Sequence, residues 1–143
     1  MTNNNFFTSI LITATVTAFL TYLLTRSGPV ANPRDVVPSA FYLGVGVIFP
    51  SVREKEIFKV LFRPLAKYVK DNEPGTISYE VLESDKDENR ILILERYVNK
   101  DYYLTIHRSS KEFLSFRGEF QKMIDAGAKV DGQSYLETGI GYI

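Results

Sequence analysis

The sequence predicts an α+β fold: an antiparallel sheet built in the order β-α-β-β-α-β, preceded by an N-terminal transmembrane helix. Three observations carry this reading. Four short segments are rich in β-branched and aromatic residues. Two Ser-x-x-Glu patterns, one from Ser51 to Glu54 and one from Ser109 to Glu112, precede apolar residues at helical spacing. No charged side chain occurs before Arg26.

Residues 6–24 (FFTSILITATVTAFLTYLL) form an uncharged run of 19 residues. A helix of that length, rising about 1.5 Å per residue, spans roughly the hydrocarbon core of a bilayer. Its six Ser and Thr residues can bond back to the helix backbone. A cleaved secretory signal is the alternative. The anchor is favoured because no Lys or Arg precedes the run and no small-x-small cleavage site follows it. Arg26 and Arg34 follow the segment, so the positive-inside rule places the remaining chain in the cytosol as part of a single-pass membrane protein. The expected division is an anchor over 1–26, a linker over 27–39 that holds Pro29, Pro33 and Pro38, and one domain over 40–143.

Within that domain, residues 41–49 (FYLGVGVIF) read as a strand whose two glycines suggest a bulge or a close backbone approach. Ser51 caps a helix with Phe58, Leu61, Phe62, Leu65 and Val69 on its buried stripe. Pro64 is expected to kink or split it, and the Asn72-Glu-Pro-Gly75 turn to stop it. Residues 76–83 alternate, with Ile77, Tyr79 and Val81 on one face. A charged turn over 85–89 leads into residues 90–98 (RILILERYV), the most strand-like segment of the chain. A short helix is expected over 101–108. The second capping box then starts a helix that buries Phe113, Phe116, Phe120 and Met123 or Ile124, with Gly127 at its C′ position. Residues 133–143 complete the set as a last strand. This order is the ferredoxin-like, split βαβ arrangement, with both helices on one face of the sheet.

The third strand departs from the alternation such a sheet requires. Ile91 and Ile93 point one way, yet Leu92 and Leu94 point the other. Two helices cover one face only, so a second copy of the sheet is the simplest cover for the other, and a face-to-face homodimer is expected.

Composition narrows the chemistry. The 143 residues hold 17 Lys+Arg, 17 Asp+Glu, one His and no Cys or Trp. Zero net charge gives no reason to expect nucleic acid as a partner. Without Cys there is no disulfide, thiolate metal site or Cys nucleophile, and a single His excludes a three-His zinc site within one chain. No metal is expected.

Residues 72–116 (NEPGTISYEVLESDKDENRILILERYVNKDYYLTIHRSSKEFLSF) resemble the central signature of the antibiotic biosynthesis monooxygenase (ABM) domain. The resemblance rests on the Glu-Pro-Gly turn, the Tyr-Glu strand, the Glu-Arg-aromatic strand end and the His-x-x-Ser-x-x-Phe helix restart. It extends over about residues 40–143, including the terminal Ser-Tyr-Leu-Glu-x-Gly strand. It implies a dimeric α+β barrel of ferredoxin-like subunits, and oxygenase activity on polycyclic phenols without metal, flavin or haem, so no cofactor is expected. Haem-degrading relatives use an Asn in the first strand and a His early in the last long helix. Neither residue is present here, which counts against haem as substrate.

An oxygenase of this kind needs a dry pocket, a proton acceptor and donors for a developing oxyanion. His107 is the natural base by its unperturbed pKa. Tyr103 lies four residues before it on the same helix face and is chosen over Tyr102 for the interior. Tyr97 takes the strand-end position where relatives carry an aromatic residue, and shares a face with Ile91, Ile93 and Glu95. Ile93, Phe58, Phe62 and Phe113 are the expected substrate-contacting side chains, and Glu95 and Arg96 are expected in structural ion pairs. The function expected is a membrane-anchored, cofactor-independent monooxygenase or related oxidoreductase acting on a small aromatic or quinol-type molecule. The alternative is a non-catalytic dimeric module for ligand binding or assembly.

Overall fold

A computed structural model of the protein describes residues 40–141. The elements run β1 (Phe41–Ile48), α1 (Val52–Asn72), β2 (Thr76–Glu83), β3 (Arg90–Tyr97), α2 (Lys100–Tyr102), α3 (Lys111–Asp125) and β4 (Lys129–Leu136), with a π-helical turn (Tyr103–His107) following α2. The strands pair antiparallel in the order β2-β3-β1-β4, which is the ferredoxin-like arrangement.

Local chemistry sets the boundaries. Ser51 Oγ accepts from the Glu54 amide at 3.5 Å and donates to the Glu54 carboxylate at 2.9 Å, which starts α1. Pro64 does not split α1, which runs from Val52 to Asn72. The carbonyl that loses its partner belongs to Val60, on the exposed face, where water can replace the missing donor. The cap of α3 is Ser110, one residue later than expected, and its Oγ accepts from the Phe113 amide at 3.2 Å. Gly127 closes α3 at φ 113°, a backbone conformation that a side chain would strain. The last strand is Lys129–Leu136, ahead of the expected 133–143, because it pairs residue for residue with β1 from Ile48 back to Phe41. The glycines of β1 form no bulge; the irregularity lies between Thr76 and Ser78 of β2.

The core joins the inner face of the sheet to α1 through Val47, Phe49, Phe58, Phe62, Ile91, Ile93 and Ala128. Helix α3 adds Phe116, Phe120 and Met123 only as half-buried neighbours, because it stands partly off the sheet. On β3, Ile91, Ile93, Glu95 and Tyr97 are buried toward the helices. The opposite face presents Leu82, Leu92 and Tyr135 at 42%, 37% and 60% exposure in the single chain. Among the described residues no helix is long and apolar enough to cross a membrane. The anchor expected over 6–24 and the linker over 27–39 lie outside the described residues.

Candidate functional site

Because α3 stands off the sheet, a cavity of about 340 Å³ lies between them. Its sheet side comprises Leu43, Val45, Tyr79, Ile93 and Glu95. Phe113, Phe116 and Phe120 of α3 face them, and Tyr103 and Arg108 come from the π turn and its end. Arg117 and Gln121 of α3 complete its polar lining. The volume sits at the small end of ligand sites, and the wall has the usual composition: mainly apolar and aromatic, with a few polar groups.

Glu95 is the acid of that wall. It occupies an inward position of β3, and Tyr97, two residues on and hence on the same face, donates its hydroxyl to Glu95 Oε2 at 2.6 Å. Burial pushes the Glu95 carboxyl above the ordinary carboxylate range, an effect offset in part by the Tyr97 hydroxyl and the His107 ring and reinforced by Glu73. Burial likewise holds the Tyr79, Tyr97 and Tyr103 phenols above their usual value, with the Glu95 charge adding to each. These hydroxyls therefore stay protonated and remain donors at neutral pH.

Behind this wall lies a second polar group. His107 is fully buried, and its Nδ1 sits 2.9 Å from Glu73 Oε2. Thr76 Oγ1 donates to the same Glu73 oxygen at 3.0 Å. The imidazole is ringed by Tyr79, Tyr97 and Phe113, with centroids at 5.2, 5.3 and 4.8 Å, and Tyr103 stacks at 6.1 Å. The π turn brings it there: the Arg108 amide bonds the Tyr103 carbonyl at 3.0 Å, five residues back. With Nδ1–H donated to the carboxylate, Nε2 is buried without a partner, as is Glu73 Oε1.

The structure thus brings His107, Tyr97 and Tyr103 together but distributes them over two layers. Tyr103, Ile93, Phe62 and Phe113 line the cavity; Tyr97 and His107 sit behind it. Phe58, expected to contact substrate, does not reach the cavity. It is sealed in the core between Phe49, Phe62, Phe116 and Phe120, since its stripe of α1 faces the sheet centre. Tyr102 packs over Gly75 rather than facing solvent, in the place a Cβ at residue 75 would occupy. Arg96 does form a buried ion pair, with Glu137 of the same chain at 2.9 Å. Glu95 forms none among the described residues and serves the cavity instead. Its place on the Ile91-Ile93-Glu95-Tyr97 face was legible as a carboxylate at an inward register position. Glu73 offered no such signal, since it reads only as part of a turn. Among the described residues no three His, Asp or Glu side chains converge as metal ligands.

Comparison with known proteins agrees with this architecture. Residues 53–119 match the family model of antibiotic biosynthesis monooxygenase, which bears out the resemblance seen in the sequence across α1 to α3. No curated protein sequence matches the chain. A Caulobacter crescentus structure named for antibiotic biosynthesis monooxygenase superposes with a TM-score of 0.56 at 22% identity, over 69% of this chain and 92% of that one. A Bacteroides thetaiotaomicron protein, described as of unknown function and a possible oxidoreductase, gives 0.58 at 20% identity, over 69% and 98%. SnoaB, a cofactor-independent oxygenase of Streptomyces nogalater, gives 0.54 at 11% identity, over 69% and 92%. At these identities the likeness is one of fold.

Proposed function

We propose that this domain, with the ABM match across residues 53–119 as premise, is a cofactor-independent monooxygenase acting on a small aromatic or quinol-type molecule. The observation that carries the reading is the Glu95 carboxyl set into the otherwise apolar, aromatic wall of the cavity. Its Oε2 is held by Tyr97, and Oε1 has no hydrogen-bond donor among the described residues. Burial raises the pKa of this carboxyl above the ordinary carboxylate value, which makes it a stronger base than an exposed carboxylate.

In the proposed reaction Glu95 takes a proton from an activated ring CH2, or from a phenol that has a C–H para to its oxygen, and the resulting carbanion or phenolate reduces O2 at that carbon. The hydroperoxide formed at that carbon loses water to leave a carbonyl. Four electrons leave the substrate; one oxygen atom enters the product and the other leaves as water. Tyr103, a protonated phenol in the wall, donates to the developing oxyanion. His107 and Tyr97 do not line the cavity; Tyr97 acts through its hydrogen bond to Glu95, and His107 lies behind the wall with Glu73.

The domain works in this proposal as a homodimer, closed over the face of Leu82, Leu92, Leu94 and Tyr135, where Gly44 and Gly46 leave room for an opposing sheet. The uncharged residues 6–24 act as its single-pass anchor, with the domain on the cytosolic side. Oxygen uptake by the purified protein with an anthrone and hydroquinone panel, and 18O2 incorporation of one atom, test the activity. Uptake lost in Glu95→Gln supports the reading. Ligand binding with no uptake across the panel would make the protein a binding module.

A further inference from the structure

Arg108 and Arg117 both line the cavity, yet neither forms a salt bridge among the described residues. For Arg117 the chain itself explains this. Its helical neighbours three and four residues away are Phe113, Leu114, Phe120 and Gln121, none of them acidic. The Arg108 guanidinium lies over the Tyr103 ring at 5.8 Å, and the positive charge of both arginines acts on the Tyr103 phenol. Two cations from the helical side therefore converge on the rim of a pocket whose remaining wall is aromatic. A guanidinium offers a planar fork of donors suited to a carboxylate or another ring-borne anionic oxygen.

We infer that the cavity selects an aromatic molecule carrying an anionic oxygen substituent, its ring held between Ile93 and the phenylalanines of α3 and its charge by Arg108 and Arg117. This rests on the aromatic-substrate reading above and narrows it to aromatic acids and acidic phenols. A cavity of about 340 Å³ has room for an aromatic molecule of two or three fused rings. The anion meets the arginines on the helical side, leaving the ring to lie along the sheet side that holds Glu95.

Calorimetric titration of the purified full chain with 2-naphthoate and with the neutral 2-naphthalenemethanol tests this without turnover. The naphthoate is expected to bind at least about tenfold more tightly, an ordinary worth for charge-assisted hydrogen bonds at a partly open site. Rising salt should narrow the difference. Arg108→Gln and Arg117→Gln should each weaken naphthoate and leave the alcohol unchanged. Equal or tighter binding of the alcohol, binding of neither probe, or a carboxylate preference that survives the double variant would overturn the inference. The wild-type comparison alone decides if a variant fails to fold. Naphthoate selectivity without oxygen uptake would keep this site and discard the oxygenase.

Discussion

Glu73 and His107, 34 positions apart in the chain, meet at 2.9 Å in the interior, both closed to solvent. The end of α1 supplies the carboxylate, where the Glu73 amide still bonds the Val69 carbonyl at 2.9 Å, and the π turn supplies the ring. The His107 ring packs against Tyr79, a cavity-wall residue, and against Tyr97, so the pair supports the wall from behind.

Truncating His107 leaves a buried carboxylate with one donor fewer. His107→Ala should cost roughly 3–5 kcal/mol, because it empties a fully buried ring position and removes the hydrogen-bond partner of the Glu73 carboxyl. Glu73→Gln should cost about 1–2 kcal/mol, since its carbonyl can still accept from Nδ1–H. Urea denaturation measures both. A His107→Ala chain as stable as wild type would contradict the buried pair.

Glu95→Gln is expected to lower the oxygenation rate by about 10²–10⁴, the typical worth of a positioned base. It should also change the pH dependence of stability. Burial raises the folded-state pKa of Glu95 above its unfolded value, so the folded state holds this proton more tightly. Stability from this group is therefore complete below the unfolded pKa and declines as pH rises through the folded one. Glu95→Gln lacks that decline. The Tm difference in favour of the variant should grow with pH across the window and level off above it.

Phe58 and Phe113 separate core from cavity. Phe58→Ala empties a fully packed position and should cost about 3–5 kcal/mol. Phe113 is half-buried on the cavity wall, so Phe113→Ala should cost less stability and more ligand affinity. Denaturation and probe titration on both variants check this. The reverse ranking would place the cavity wrongly.

Glu83 accepts from the largely buried Lys55 at 2.8 Å and from Lys59 at 2.6 Å. Those hydrogen bonds pull its carboxyl from 4.5 down to about 2. A depressed folded pKa contributes stability that is present above 4.5 and is lost as pH falls toward about 2. Thermal melts across that range should show a shallower acid-side loss for Glu83→Gln than for wild type. Because Glu83 is solvent-accessible, added salt should reduce the difference.

The order of elements, most of their boundaries and the two faces of β3 were legible in the amino-acid sequence. These follow from local periodicity and capping groups such as Ser51, and from Gly127, whose effect reaches only a few residues along the chain. Of the side chains singled out in the sequence, Tyr103, Ile93, Phe62 and Phe113 line the cavity. Register across the sheet was not legible there: the pairing of β4 with β1 started that strand at Lys129. Packing between distant segments kept Phe58, already on the buried stripe of α1, out of the cavity and set His107 behind the wall. Only the fold could pair His107 with Glu73 and leave Glu95 at the cavity. Each of these depends on how far α3 stands from the sheet and on contacts between distant segments. Patterns within one helix or strand carry no record of either.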